Sequence, residues 1–293
     1  MITVKLWGGL GNQLFQYAYG LQLAKKAHTG IILDTSWFSQ QDLRKPEILD
    51  LDIQFDRVEE TWKTNKKIAF LNKKIPNRGI RIPRNFKHRV GGVTYLKETR
   101  FHYMESIRNF SASEAYVDGY WQCPRYFEDV SRDLQSMFVP TSIREAVWCL
   151  GQQLRQENSV AVHVRRGDYP AKKGAFHRLA TIHDEYYTQA VAYMQQHNSG
   201  AKYYLFSNDP ADAANMIKPL VGDALQTFEF GARSALEEWY LMRCCQHQII
   251  GNSTFSWWAA YLNDNPKKIV CAPDYNMGND DIIPEEWIKF RPQ

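Results

Sequence analysis

No run in this chain approaches the ~18 consecutive apolar residues that a membrane-crossing helix requires, although 44% of its 293 residues are hydrophobic. The marks of disulfide and metal chemistry are missing too. Its five cysteines, Cys123, Cys149, Cys244, Cys245 and Cys271, are an odd set without CxxC spacing. That pattern indicates neither a zinc site nor a disulfide framework, and reduced, buried thiols are expected. There is no HExxH, GxSxG or Walker lysine motif and no GxGxxG spacing, and no DxD-like aspartate pair stands where Mg²⁺ would be held. Zincin, serine-hydrolase and P-loop chemistry are therefore not indicated, nicotinamide binding has only Asp34 as weak support, and no metal requirement is expected. The opening Met1-Ile2-Thr3-Val4-Lys5-Leu6-Trp7 lacks a charged n-region, an apolar stretch and a cleavage site. It reads directly as a first strand, which predicts a cytoplasmic location.

What is present is ordinary globular composition, with 23% charged residues and a net charge of +4. The length suffices for two domains. The charge is uneven: Thr61 to Lys97 holds eleven Lys or Arg and no Asp or Glu. Lys63, Lys66, Lys67, Lys73 and Lys74 alternate with Ile68, Phe70, Leu71 and Ile75. The simpler reading is a solvated helix face. The other is a segment facing a membrane surface or a polyanion, although no nucleic-acid-binding signature accompanies it.

Strand and helix patterns alternate. A strand over Thr3–Trp7, the turn Gly8-Gly9-Leu10-Gly11, a helix from Asn12 to Lys26 and a strand over Gly30–Asp34 form a βα unit with its crossover. Lys45-Pro46, Ile75-Pro76, Ile82-Pro83 and Gly91-Gly92 then break the pattern to about residue 110. A strand over Ala115–Trp121 and a helix opening at Pro124 follow. A polar helix over Ser142–Asn158 leads into the second half, so the boundary is expected near 155, giving domains 1–155 and 156–293. Strands are then expected over Ser159–Val164, Lys202–Ser207, Leu225–Phe230, Gln248–Ile250 and Lys268–Cys271. Helices lie between them, and Ser234 with Glu237 forms a capping box. The fold class expected is α/β, two Rossmann-like domains facing a cleft, with the final tail packing back on the first.

Two segments carry chemistry. His163-Val164-Arg165-Arg166-Gly167-Asp168-Tyr169 follows a β-branched run of the kind buried in a parallel sheet, whose carboxyl end is where such folds bind ligands. Arg165 and Arg166 present guanidinium forks suited to a diphosphate, and Asp168 can orient one of them; a surface ion pair is the plain alternative. Gly251-Asn252-Ser253-Thr254-Phe255-Ser256-Trp257-Trp258 opens a helix with two hydroxyls and consecutive N–H groups, a phosphate cradle or simple N-capping. Trp257, Trp258 and Tyr261 read as core. Gly9 and Gly11 allow close backbone approach to a ligand, or merely make a tight turn, and Asn12 adds an amide at the helix start. His177 and His183 follow the arginine motif, and each reads more simply as structural.

Together, the segments from Gly8 to Tyr17, His163 to Tyr169, Phe206-Ser207-Asn208-Asp209 and Ile250 to Trp258 resemble the bacterial α-1,2-fucosyltransferases, in the family's order from residue 3 to about 275. The HxRRxD element is shared with α-1,6- and protein O-fucosyltransferases. The resemblance implies a GT-B fold, GDP-β-L-fucose as donor, inversion, no metal or other cofactor, and fucosylation of the 2-hydroxyl of a terminal β-galactoside in surface-glycan synthesis. It implies that Arg165 takes the leaving-group charge, His163 touches the nucleotide, Asp168 supports the arginines, and Asn252, Ser253, Thr254 and Phe255 line the diphosphate site. Asn12 would reach the fucosyl region, Asn208 belongs to the donor-binding set, and Asp209 and Glu229 are candidates for reading guanine. His177, His183 and Asp184 are the candidates for a general base. The acceptor is left open among free oligosaccharide, lipopolysaccharide core and lipid-linked glycan, the last with peripheral contact at the cytoplasmic membrane face. Another linkage, or a non-catalytic nucleotide-sugar or glycan-binding protein, are the competing readings.

Overall fold

The computed structural model describes residues 1–60, 86–90, 92–98, 102–165, 184–226, 228, 233–274 and 279–290. They fall into two compact units, Met1–Val139 and Pro140–Gln293, each built on a six-stranded sheet. The division lies earlier in the chain than residue 155. Its physical reason is the helix Glu145–Gln156, which packs on the helix Ala235–Cys244 of the second unit. Arg144, just before it, grips Glu237 through two hydrogen bonds of 2.6 and 2.8 Å.

In the first unit the strands β1 (Ile2–Lys5), β2 (Ile31–Asp34), β3 (Arg57–Glu59), β4 (Phe86–Val90), β5 (Val93–Lys97) and β6 (Ala115–Asp118) lie in the order β3-β2-β1-β6-β5-β4. All neighbours are parallel except the β4–β5 hairpin, which turns at Gly92 with φ +92°. Helix α1 (Leu10–Lys26) follows β1. It contains no proline or β-branched residue, and Lys25 and Lys26 in its last turn complement the helix dipole. Its buried face lies against β1 so closely that a methyl group on Gly20 would overlap Val4 Cγ2.

The second unit carries β7 (Ser159–Val164), β8 (Lys202–Ser207), β9 (Leu225–Gln226), β10 (His247–Ile249), β11 (Val270–Pro273) and β12 (Ile288–Phe290) in the order β12-β11-β10-β7-β8-β9. Every pairing is parallel. All six residues of β7 are buried, as its run of Val and Ala on both faces requires. Around it α4 (Glu145–Gln156), α5 (Asp184–His197), α6 (Pro210–Val221), α7 (Ala235–Cys244) and α8 (Thr254–Tyr261) supply the second layer; α2 (Glu105–Arg108) and α3 (Ser131–Met137) belong to the first unit. The capping box on α7 is present, Ser234 accepting from the Glu237 amide and Glu237 from the Ser234 amide.

Several expectations are corrected. Among the described residues the tail is a strand: Ile288–Phe290 lies at the edge of the second sheet beside β11, where Cys271 to Pro273 offers it a parallel partner. The strand expected to run to Trp121 stops at Asp118, since Trp121 adopts φ +58° and turns the chain. Pro124 opens two 3-10 turns rather than an α-helix, Phe127 breaking the run at φ −135°. Lys97, at the end of the basic stretch, is buried on β5 and paired with Asp118 instead of solvated; residues 61–85 lie outside the described residues. Four cysteines are buried thiols as expected, and Cys149 is exposed. Among the described residues no helix is long and apolar enough to cross a membrane.

The α1–β1 contact predicts that Gly20→Ala lowers stability by about 1–3 kcal/mol, overpacking outweighing the gain in helix propensity. Guanidinium denaturation should show this cost in the wild-type background and its disappearance in Val4→Ala.

Candidate functional site

In an open parallel sheet the ligand crevice lies outside the strands' carboxyl ends, where the strand order reverses. In the second unit that point is between β7 and β10: the chain moves from β7 outward through β8 and β9, then crosses back to β10. The register pairs Val162 with Ile249 on one side and Val164 with Ser207 on the other. The segments His163–Arg165, Ile250–Ser253 and Ser207–Asp209 therefore leave the same edge of the sheet as immediate neighbours. Three motifs separated by dozens of residues meet there.

Their approach is close. A Cβ on Gly251 would lie 3.1 Å from the His163 carbonyl oxygen, 3.4 Å from the Tyr187 hydroxyl and 3.5 Å from His163 Nδ1. A side chain at 251 would need the His163 carbonyl to give by a few tenths of an ångström. Helix α5 secures the same edge through two successive tyrosines that sequence reading passed over. Tyr187 donates its hydroxyl to the His163 carbonyl at 3.0 Å, and the Tyr186 hydroxyl lies 2.6 Å from the Ile250 carbonyl and 2.9 Å from that of Cys271. Both tyrosines are buried, so each hydroxyl finds its partner in a main-chain carbonyl at the strand ends, the Cys271 carbonyl accepting from the Ile250 amide as well.

His163 is buried, with Nδ1 2.8 Å from Ser256 Oγ; that hydroxyl donates to the Ser253 carbonyl at 3.3 Å. With its one proton spent on the carbonyl, Ser256 accepts from Nδ1–H, and Nε2 is left as a hydrogen-bond acceptor. Burial, and then the Arg165 guanidinium, push the His163 pKa down to about 3. The imidazole is neutral throughout the physiological range, which suits a group that reads a ligand edge better than one that carries charge or protons. Phe255 sits with its ring centroid 6.2 Å from that of His163.

Ser253 is the N-cap of α8, its hydroxyl accepting from the Phe255 amide at 3.3 Å, so the capping role accounts for this residue; Thr254 begins the helix. Asn252 is half-buried beside them. Trp257 and Trp258 are core, and Tyr261 is partly exposed. Asn208 is exposed, and Asp209 caps α6 by accepting from the Asp212 amide at 3.2 Å. Arg165 directly follows β7 and is partly exposed. Arg166, Asp168, His177, His183 and Glu229 lie outside the described residues.

In the first unit the glycine turn leaves β1. Gly8 has φ +79°, Gly9 caps α1 without a side-chain bond, Gly11 is buried in the first turn, and Asn12 accepts from Gln122 Nε2 at 2.9 Å. The guanidinium of Arg44 comes within 3.8 Å of where a Cβ on Gly9 would stand. The glutamines of this motif are structural. Gln13 bonds the carbonyls of Gly8 and Lys45 and the amide of Ile48, all at 3.0 Å; Gln16 takes both main-chain groups of Trp7, at 3.0 and 3.2 Å. Both side chains are fully buried, so only this pairing offsets their desolvation.

A model of glycosyl transferase family 11 matches residues 1–291. An alpha-1,2-colitosyltransferase of Escherichia coli is 28% identical over 99% of this chain and 99% of its own. The O-antigen biosynthesis glycosyltransferase WbnK of Escherichia coli is 29% identical over 97% and 99%. Galactoside alpha-(1,2)-fucosyltransferase 2 of Bos taurus is 28% identical over 44% of this chain and 39% of its own. Among solved structures, the fucosyltransferase NodZ from Bradyrhizobium superposes with a TM-score of 0.51 at 13% identity, covering 88% of this chain and 91% of that one. That likeness shows the fold, GT-B with two Rossmann-like units.

The neutral His163 has a consequence for stability. Its unfolded-state pKa is near 6.5 and its folded value about 3, so the contribution is fully present above about 6.5. As the pH falls below that, the unfolded chain takes up a proton that the folded chain refuses, and stability declines by up to about 1.4 kcal/mol per pH unit. Denaturant unfolding of the wild type and His163→Asn between pH 7 and 4 should show a shallower acid loss in the variant, and a wild-type imidazole that does not titrate by NMR above pH 5.

Proposed function

The chain belongs to glycosyl transferase family 11, and we propose that within it this enzyme transfers L-fucose from GDP-β-L-fucose to the 2-hydroxyl of a terminal β-galactoside, with inversion and without a metal. The observation that carries the reading is the meeting of His163–Arg165 and Gly251–Ser253 at the switch point of the second sheet, where a cation, a neutral acceptor nitrogen and a helix N-terminus stand together. The α-1,2 linkage is supported by the names of two relatives, one bacterial and one bovine. Surface-glycan synthesis is supported by the O-antigen name of a third. A cytoplasmic location at the membrane's inner face, with a lipid-linked or free galactose-terminated acceptor, completes the proposal.

The chemistry follows from charge. Breaking the bond between the fucosyl carbon and the β-phosphate leaves positive charge on the sugar and negative charge on GDP, and a donor fixed at the place where that anion develops lowers the barrier. Arg165 supplies permanent charge there, and the amides at the start of α8 add dipoles. His163 Nε2, as an acceptor, suits an N–H edge of guanine. The colitosyl relative favours one second reading, the same linkage from a colitosyl donor.

Purified protein with GDP-fucose and lactose or N-acetyllactosamine in EDTA should release GDP and give a 2-linked α-fucoside by NMR. Transfer only from a colitosyl donor would favour the second reading, and binding of GDP-fucose without turnover would favour a non-catalytic role. Arg165→Ala should lower kcat by on the order of 10²–10³ with the fold intact by circular dichroism.

A further inference from the structure

The crevice at the switch point of the second sheet has a side that the diphosphate chemistry leaves unused. Val160, Val162 and Val164 of β7 share a core with Tyr203 and Leu205 of β8 beneath α5 and α6, so the alternate residues of both strands point to the other face. His163 and Phe206 are registered partners on that face, side by side at the carboxyl edge. Helix α8 lies there too, since its Ser256 reaches the imidazole, and α7 packs beside α8. Because α7 connects the parallel strands β9 and β10, it runs opposite to them, and its first turn stands at the carboxyl edge.

From the imidazole a row of side chains leads to a cation. Phe206 packs on Phe228 with ring centroids 5.1 Å apart, and Tyr204 meets the same ring at 5.6 Å. Over Phe228 lies the guanidinium of Arg233, its central carbon 4.4 Å from the ring centroid. Arg233 directly precedes Ser234, the cap of α7. Its side chain is only 14% exposed. Among the described residues its hydrogen-bond acceptor is Glu238 Oε1, 3.4 Å from Nη2, and its Nε is buried with no partner. Burial raises the Glu238 pKa and the Arg233 charge lowers it, as expected of a pair drawn partly out of water. A guanidinium carries several donors, and one long bond leaves most of that capacity to a ligand that brings acceptors. Phe228 fixes the plane of the fork without using its N–H groups. Asp209, in contrast, caps α6 on the opposite face.

We propose that Arg233, laid over Phe228, selects the base of the donor nucleotide by donating to O6 and N7 of guanine, an inference that rests on the GDP-sugar reading above. These two acceptors lie adjacent on one edge of guanine, and a guanidinium fork meets both at once. Adenine has an amine where guanine has O6, and it sets donor against donor. The N–H edge of the base is left to His163 Nε2, so guanine is held from two sides of one face of the sheet. The selection acts on the base and is separate from the charge that Arg165 offers the diphosphate. Phe228 is a positioning residue, and Glu238 holds the outer nitrogen of the fork.

Calorimetric titration of the full chain with GDP, ADP and inorganic diphosphate tests this. The wild type should bind GDP roughly 10- to 100-fold more tightly than ADP. Arg233→Gln should lose most of that ratio through weaker GDP binding alone, with ADP and diphosphate affinities kept and the fold intact by circular dichroism. Arg233→Lys, which keeps the charge without the planar fork, should lose it as well. Phe228→Leu, which keeps the guanidinium and removes the ring beneath it, should lose part of it. A wild-type ratio retained in the Arg233 variants or in Phe228→Leu overturns the proposal. So does an equal loss of GDP, ADP and diphosphate binding in Arg233→Gln, which places the guanidinium on the phosphates, and so does a wild type that binds GDP and ADP alike. A wild type that binds neither nucleotide, measured first, overturns the GDP-sugar reading instead.

Discussion

The close approach of Gly251 to the His163 carbonyl is the constraint on which the second unit's site depends. Parallel strands on either side of a switch point must carry their chains away from the sheet in opposite directions, and the crevice between them is only as narrow as the residue at the turn permits. A side chain at 251 would meet the carbonyl, the imidazole and the Tyr187 hydroxyl at once. With glycine there, α8 begins near enough to β7 for Ser256 to hold the imidazole. The tyrosine clamp from α5 and the Ser253 cap complete an edge whose polar groups are bonded within the unit before any ligand arrives.

The same economy of polar groups governs the first unit, with different residues. Gln13 and Gln16 look, in sequence, like members of a ligand motif, and they are fully buried amides that fasten the glycine turn, the Trp7 main chain and the loop at Lys45–Ile48 to α1. A buried primary amide without partners would cost on the order of 1–3 kcal/mol, so such residues persist only where the surrounding main chain meets them. They hold the turn rigid, and the residues they leave exposed on it, Gly9 and Trp7, are the ones that can face a ligand.

Electrostatics separates carboxyls that the sequence cannot tell apart. Asp118, Glu98 and Asp34 all stand at or just past the carboxyl ends of parallel strands. Asp118 is neutralised by two lysines, Asp34 is bound by the Tyr116 hydroxyl at 2.5 Å and by the Ser36 amide at 2.9 Å, and Glu98 accepts from the backbone amides of Tyr120 and Trp121. One edge thus holds a carboxyl charged by its lysines, one held by a hydroxyl and an amide, and one whose pKa burial raises.

Much of the fold was legible in the sequence, because its signals are local. The β-branched run of β7, the strand Lys202–Ser207, the capping box at Ser234 and the left-handed turn at Gly8 each follow from spacing and residue chemistry within a few positions. His163, Arg165 and the start of α8 stood out by local chemistry in the same way, and the structure brings them to one edge of the second sheet. Only the tertiary structure decided that Ile288–Phe290 completes the second sheet, that Lys97 is a buried partner of Asp118 and not a solvated cation, and that Tyr186, Tyr187 and Ser256 brace the site. Strand order, burial and the neighbour of a charge are set by residues dozens of positions away, and no local pattern carries them.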